Sequence, residues 1–162
     1  MPTKSTTAKP KTLSADATAA VQQVLEPVVV NLQALATDGK QAHWHVRGPN
    51  FQAIHELLDE VVSRLRDSAD LAAERIVALG LPLDARAQTV GTQTTTPKLR
   101  PGFQQADAII PQLVAGIDAT LELVRDAADT LEELDGASQD VAIAIEQQLV
   151  KDRWFLSSHL SI

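Results

Sequence analysis

The chain has 162 residues, with 44% hydrophobic and 22% charged side chains, a composition typical of one soluble globular domain. It contains no cysteine, which excludes disulfides and thiolate sites, so any metal must be bound by histidine and carboxylate side chains. The net charge of -7 argues against a globally basic nucleic-acid binder and favours attraction of metal cations. The apolar runs suit neither a membrane span nor a signal peptide, so we expect a cytoplasmic protein.

The first residues of the chain differ in composition from the rest. Residues 1–14 combine small polar residues and prolines with Lys4, Lys9 and Lys11, and such a segment cannot bury a core. We therefore predict a mobile, lysine-containing tail over residues 1–14 and one folded domain over residues 15–162.

The first helix is predicted from apolar residues that recur every three or four positions between Val21 and Leu35. We expect this helix to run towards Val46, with a kink at Pro27. A turn then follows, and Asn50 at its end is suited to cap the N-terminus of a second helix.

Three further helices are predicted from the same period, over residues 54–79, 113–134 and 141–156. Residues 81–102 contain prolines and a threonine cluster, which indicates a long connection between the second and third helices. Connections of that length usually have a function or contain a short helix. Four long helices with one long connection predict an all-α, ferritin-like four-helix bundle.

Four residues with metal-binding side chains share one face of the second helix: His55, Asp59, Asp70 and Glu74. At 100° per residue they fall within a sector of about 100°, roughly 140° from the apolar stripe, so they point away from the subunit's own core. Such a charged face is more often a solvated surface than a metal site. The periodicity alone therefore leaves both interpretations open.

The spacing along the helix axis indicates how such a site would be built. The pair His55 and Asp59 lies about 16 Å from the pair Asp70 and Glu74, so one ion cannot bind both pairs. Because the first two helices must run antiparallel, His43 comes level with His55. A two-fold-related partner would bring its acidic pair over the histidines and Asp59, which gives two equivalent mixed sites per dimer.

The predicted ligand set of imidazole and carboxylate groups suits Fe(II), with Zn(II) and Mn(II) as competitors that spacing does not exclude. The Glu-x-x-His motif of a site inside a ferritin-type bundle is absent from the sequence, which favours the shared site. His43 taken alone would be interpreted as a packed or capping residue. We interpret His45 as a surface or supporting residue.

A longer motif surrounds these residues, with spacings of 12, 4, 11 and 4 between the successive candidate ligands. It resembles, without a gap, the ferroxidase signature of Dps proteins, the DNA-binding proteins from starved cells. The likeness continues at residues 91–92, 96–97 and 153–156, so it covers most of the chain after the tail. The residues that carry the motif are Lys40, Gln41, Ala42, His43, Trp44, Gly48, Asn50, Phe51, His55, Asp59, Asp70, Ala73, Glu74 and Arg75.

The resemblance implies a dodecameric shell that oxidises Fe(II), typically with hydrogen peroxide, stores the ferric mineral and protects DNA from oxidative damage. It implies that His43, His55 and Asp59 come from one subunit and that Asp70 and Glu74 come from its dimer mate. This division agrees with the one that the helix geometry predicts.

The resemblance also implies roles for residues outside the ligand set. Trp44 resembles a tryptophan near the iron centre that could intercept stray oxidising equivalents, with interface packing as the alternative. Asp135 and Asp140 resemble the aspartates of a cation pore, with stabilisation of a helix N-terminus as the alternative. We expect Trp154 to pack in an interface, and Arg75 to pair with a carboxylate and fix an interface.

Two other functions stay open at the level of sequence. The first is a nucleoid-binding protein with a minor metal role, in which twelve tails carrying Lys4, Lys9 and Lys11 bind DNA in a salt-sensitive manner. The negative charge of the bodies opposes that binding. The second is metal-dependent hydrolysis, since a metal ion with open positions can activate water.

Overall fold

The computed structural model describes residues 13–160, which form five helices and two short strands. In chain order the elements are α1 (Ala15–His45), β1 (Val46–Arg47), α2 (Phe51–Ala78), α3 (Ala87–Gln93), β2 (Gln104–Gln105), α4 (Ala106–Glu132) and α5 (Gly136–Ser157). The four long helices confirm the predicted all-α, ferritin-like bundle. The part of the predicted tail that comprises residues 1–12 lies outside the described residues.

Helix α1 begins earlier than the apolar period indicated. The Ser14 hydroxyl caps it by accepting a hydrogen bond from the Ala17 N–H at 3.2 Å, and the alanine-rich segment that follows favours helix. Pro27 lies inside the helix without ending it, and α1 continues for 31 residues.

Helix α2 follows α1 after a short turn and lies against it. Asn50 occupies the N-cap position as predicted, but its side chain makes no capping hydrogen bond. Gly80 follows the end of α2 with a φ of +87°, a conformation that glycine adopts without steric cost, and its N–H donates to the Val77 carbonyl at 2.9 Å. This confirms the predicted end of the helix.

The long connection between α2 and α4 contains the short helix α3 and is attached to α1 by a buried amide. Asn31, only 1% exposed, accepts hydrogen bonds from the Thr95 N–H at 3.0 Å and the Thr94 hydroxyl at 3.1 Å. Its amide group donates to the Thr95 hydroxyl at 2.9 Å. A buried polar side chain that is fully hydrogen-bonded fixes the path of the chain over α1.

The strands β1 and β2 were not predicted. They pair in parallel, with Val46 opposite Gln104 and Arg47 opposite Gln105, and so join the α1–α2 turn to the start of α4. Two-residue strands leave no period that a sequence could show.

The core lies between the four long helices, where the apolar stripes meet. Helix α4 begins seven residues before the apolar period at Leu113, and α5 begins at Gly136. Within the described residues, no helix has the combined length and apolar character needed to span a bilayer. Fully buried side chains from all four helices include Leu25, Leu32, Ile54, Leu58, Ile76, Ile109, Ile117, Leu131, Ile145 and Leu149.

Candidate metal centre

His43 and His55 face each other where the end of α1 meets the first turns of α2. The Nδ1 atom of His43 lies 2.7 Å from the carbonyl oxygen of His55, and Nδ1 of His55 lies 2.9 Å from the carbonyl oxygen of His43. His43 is buried, and the two rings stack with centroids 3.6 Å apart at an angle of 18°. The structure therefore brings together the two histidines that antiparallel helices were predicted to place level.

The reciprocal hydrogen bonds determine which nitrogen of each ring can bind a ligand. A carbonyl oxygen only accepts hydrogen bonds, so Nδ1 must carry the proton in both His43 and His55. In the neutral ring the lone pair then lies on Nε2, which is the arrangement found in histidines that bind metal ions through one nitrogen and are oriented through the other. Both imidazoles are thus in the tautomer that a metal site requires.

The backbone explains why the sequence forms this pair of contacts. The last carbonyl groups of a helix have no partner within the helix, and the carbonyl of His43 lies in the last turn of α1. The His55 ring supplies the missing donor. The pair therefore closes the end of α1 as well as orienting the two rings.

Asp59 lies one turn after His55 on the same face of α2. One of its oxygens, Oδ1, is 3.5 Å from Nδ1 of His43 and forms an ion pair with the ammonium group of Lys40 on α1. The hydrogen bond from Lys40 is the main reason that the pKa of Asp59 lies below its ordinary value, and the neighbouring histidines add to the effect. Lys40 belongs to the motif, but the sequence did not indicate this contact.

Asp70 and Glu74 lie three to four turns further along α2, and both are exposed. Neither forms an ion pair with another residue of the described part of the chain. Asp70 borders a groove of about 430 Å³ on the outer surface of α1 and α2. The groove is lined by Val29, Gln33, Arg66, Asp67, Ala69, Asp70, Ala73, Leu83 and Ala85.

The acidic pair therefore does not meet the histidines within one subunit. Over residues 13–160, no group of three or more histidine, aspartate or glutamate side chains is arranged to hold a metal ion. The predicted site needs the acidic pair of a second copy, and this division of ligands stays a prediction.

The neighbours of the histidine pair have separate environments. Trp44 is 58% exposed although it follows His43 directly. His45 turns away from the pair, since its ring lies within 2.9 Å of the Gln41 amide and meets the ring of Phe103 edge-on at 5.2 Å between centroids. His45 is thus a partly exposed residue outside the histidine pair.

Asp135 and Asp140, the two predicted pore residues, occupy different environments. Asp135 caps α5 by accepting a hydrogen bond from the Ser138 N–H at 3.2 Å, and it forms an ion pair with Arg75 of α2. Burial acts to raise the pKa of Asp135, but the hydrogen bonds from Ser138 and Arg75 outweigh it and hold the pKa below its ordinary value. Asp140 is exposed one turn into α5.

Asp135 therefore stabilises the N-terminus of α5, and its charge is balanced by Arg75 within the subunit. The pore role of Asp135 and Asp140 stays a prediction. Arg75 does pair with a carboxylate as predicted, but the pair joins α2 to α5 of one chain.

Arg64 and Asp152 form a second link between α2 and α5, which the sequence did not indicate. Asp152 is fully buried and accepts a hydrogen bond from Nε of Arg64 at 2.8 Å. Burial raises the pKa of Asp152 despite the neighbouring guanidinium. The two residues are 88 positions apart, and no local pattern connects them.

Comparison with known proteins places this geometry in a family. The sequence model of the ferritin-like domain matches residues 19–162. The DNA protection during starvation protein of Agrobacterium fabrum is 30% identical over 149 residues, which cover 91% of this chain and 92% of that protein.

Solved structures agree with the sequence comparison. The Dps of Microbacterium arborescens, in a structure described as the high iron form, is 54% identical with a TM-score of 0.87, covering 91% of this chain and 97% of that one. The Dps of Mycobacterium smegmatis in its tetragonal form is 30% identical with a TM-score of 0.89, covering 96% and 95% of the two chains.

The four-helix architecture and the matched residues define a ferritin-like protein. Within that class the chain belongs to the Dps family, whose general functions are iron storage and DNA protection.

Proposed function

We propose that two copies of this chain form Fe(II)-oxidising centres across their interface, and that the assembled shell stores the ferric product. The observation that carries the proposal is the reciprocal bonding of His43 and His55, which leaves Nε2 of each ring as the nitrogen that can bind an ion, with Asp59 3.5 Å from Nδ1 of His43. Histidines that bind a metal ion through one ring nitrogen are commonly oriented by a hydrogen bond from the other nitrogen.

The stacked rings favour two metal positions over one. A metal ion binds an imidazole in the plane of the ring, about 2 Å from the nitrogen. The planes of His43 and His55 are nearly parallel with centroids 3.6 Å apart, so they do not meet within that distance. Each ring therefore serves its own Fe(II), and the two ions are neighbours.

The acidic half of each centre comes from the partner in this proposal. Asp70 and Glu74 are one turn apart, exposed, and without an ion-pair partner over residues 13–160. Two like charges at this spacing repel each other weakly, and a bound cation would relieve that repulsion. A two-fold pairing of antiparallel α2 helices sets this pair over the histidines of the other copy. The groove beside Asp70 is lined by both polar and apolar side chains, and the partner would cover it.

Two adjacent Fe(II) ions suit hydrogen peroxide as the oxidant. Each ion gives up one electron, and peroxide takes up two electrons and two protons as its O–O bond breaks, which yields two ferric ions and two water molecules. Because both electrons arrive together, no hydroxyl radical is released. Trp44, which follows His43 in the chain and is 58% exposed, would donate an electron if only one ion is present.

Storage requires an assembly larger than the dimer, and we propose a dodecameric shell with Asp140 near a route for cations. The support is the likeness over almost the whole chain to Dps structures, one of which is described as being in a high iron form. DNA protection is supported by the name of the Agrobacterium relative. DNA binding by Lys4, Lys9 and Lys11 would be tested by removing residues 1–12, which lie outside the described residues.

Mixing two inactive variants tests the shared centre. His43→Ala and Asp70→Ala should each lose rapid peroxide-dependent Fe(II) oxidation when prepared alone. In a mixed dimer one centre carries both substitutions and the other is intact, so co-assembly should restore activity. Glu56→Ala serves as control, because within residues 13–160 this exposed carboxylate on α2 accepts a hydrogen bond from the Gln52 amide and from no other side chain.

The outcome separates the possible architectures. Restored oxidation, with two metal ions per intact centre by native mass spectrometry, supports the proposal. If the mixture stays as inactive as its components although native mass spectrometry shows mixed dimers, the ligands are not shared between subunits and the proposal is wrong.

A further inference from the structure

Lys40 lies one turn before His43 on α1, and its ammonium group contacts Oδ1 of Asp59 on α2. Asp59 is one of the proposed ligands, so a positive charge of the protein is held against a group that would bind a positive ion. Both side chains are partly exposed, 29% for Lys40 and 52% for Asp59. The contact is therefore one that solvent can reach and that either partner can leave.

The surroundings do not supply another counter-ion for Lys40. The nearby ligand-type groups on the two helices are His43 and His55, whose Nδ1 hydrogens are committed to backbone carbonyls. The acidic pair of the same chain lies three to four turns away along α2. Asp59 is thus the carboxylate that balances Lys40 within the described part of the subunit.

We propose that Lys40 is a displaceable counter-ion of Asp59, and that its competition with divalent cations sets the affinity of this half of the centre. The inference rests on the proposed function, since it takes Asp59 as a ligand. When a divalent ion binds Asp59, the ammonium group must leave the carboxylate or remain close to a like charge. Either way Lys40 makes binding weaker than the ligands alone would allow.

A lower metal affinity suits a centre that must release its oxidised iron for storage. A centre that bound ferric ions tightly would stay filled after one turnover, whereas a returning ammonium group competes with the product for Asp59. Lys40 also holds the Asp59 carboxylate beside His43. It is therefore a positioning residue that determines affinity.

Titration of the assembled protein with Zn(II), which is redox-inert, tests the proposal by calorimetry. Lys40→Gln removes the competing charge and should lower the Zn(II) dissociation constant about two- to fivefold, the range expected for an exposed ion pair. Lys40→Arg keeps the charge and the contact, so its affinity should stay near that of the wild type. Lys98→Gln, at an exposed lysine of the long connection, controls for the loss of one charge.

Each outcome has a distinct meaning. Tighter binding in Lys40→Gln, but not in Lys98→Gln or Lys40→Arg, supports the competition. Equal Zn(II) affinity in both glutamine variants, or weaker Zn(II) binding in Lys40→Gln, overturns the competition proposal. Lys40 would then have no effect on Zn(II) binding or would favour it. If the wild type shows no Zn(II) site that His43→Ala abolishes, the proposed function itself fails, which is a different result.

Discussion

The two halves of helix α2 carry similar candidate ligands, but those of the first half contact α1 and those of the second half are exposed. In the first half, His55 and Asp59 are engaged with His43 and Lys40 of α1. In the second half, Asp70 and Glu74 are exposed and form no ion pair within the described residues. The candidate ligands of the first half are held by other residues of the subunit, whereas Asp70 and Glu74 have no ion-pair partner over residues 13–160.

This difference shows how one chain can carry an incomplete site without losing stability. The imidazole contacts close the end of α1, so they contribute to the fold whether or not a metal binds. Exposed carboxylates cost little while solvated, and they acquire a role only when a cation or a partner approaches. A centre that is shared between two subunits can therefore form when the subunits associate.

The largest effect should come from the buried ion pair that anchors the middle of α2. Replacing Arg64 by Met leaves Asp152 buried without its counter-ion, which should lower the free energy of unfolding by about 3–5 kcal/mol. Arg100→Met changes an exposed arginine of the long connection and should have little effect. Denaturation at a fixed subunit concentration would measure both, and equal midpoints would show that α2 needs no such anchor.

The next largest effect is expected at His55, and it can be compared directly with a substitution in the second half of α2. His55→Ala should destabilise the protein by about 1–3 kcal/mol, because the His43 carbonyl then loses its donor at the end of α1. Asp70→Ala should leave the denaturation midpoint nearly unchanged. Both variants should nevertheless lose Fe(II) oxidation. A large loss of stability in Asp70→Ala would contradict the view that the acidic half is unorganised in the subunit.

The helices were predictable because their apolar period persists over many turns. The N-terminal turns of α4 and α5 were placed too late. In α4, Ile109 and Ile110 continue the apolar period on the N-terminal side of Pro111, and the first turn of α5 contains no large apolar side chain. The pairing of β1 with β2 was missed because each strand has only two residues. Long periodic elements and the end of α2 at Gly80 could thus be predicted from sequence, whereas the first turns of α1, α4 and α5 and the two-residue strands could not.

In the candidate site, the relative position of the histidines was predictable, but the hydrogen bonds around them were not. Antiparallel helices predicted that His43 would lie level with His55, and the stacked rings confirm it. The hydrogen bonds that set both tautomers, and the ion pair of Lys40 with Asp59, depend on side-chain rotamers that no spacing encodes. The pairing of Asp135 with Arg75 was unforeseen for the same reason, since 60 residues separate them.

The smallest effect concerns the end of the second half, where Arg75 holds Asp135 at the start of α5. Asp135→Ala removes the cap and the ion pair, and should cost about 1–2 kcal/mol at neutral pH. Because the pKa of Asp135 is lowered in the folded protein, its contribution is present above the ordinary pKa of about 4 and is lost as the pH falls through the lowered value. The stabilities of wild type and variant should therefore converge in acid.

Asp140→Ala is the matched control for Asp135→Ala, because Asp140 is exposed one turn further along α5. It should change stability little at any pH, and it should slow iron uptake if it attracts cations at a pore. Urea denaturation across a pH series, with uptake rates measured in parallel, separates the two aspartates. If Asp135→Ala slowed iron uptake without changing stability, Asp135 would act at a pore despite its ion pair with Arg75.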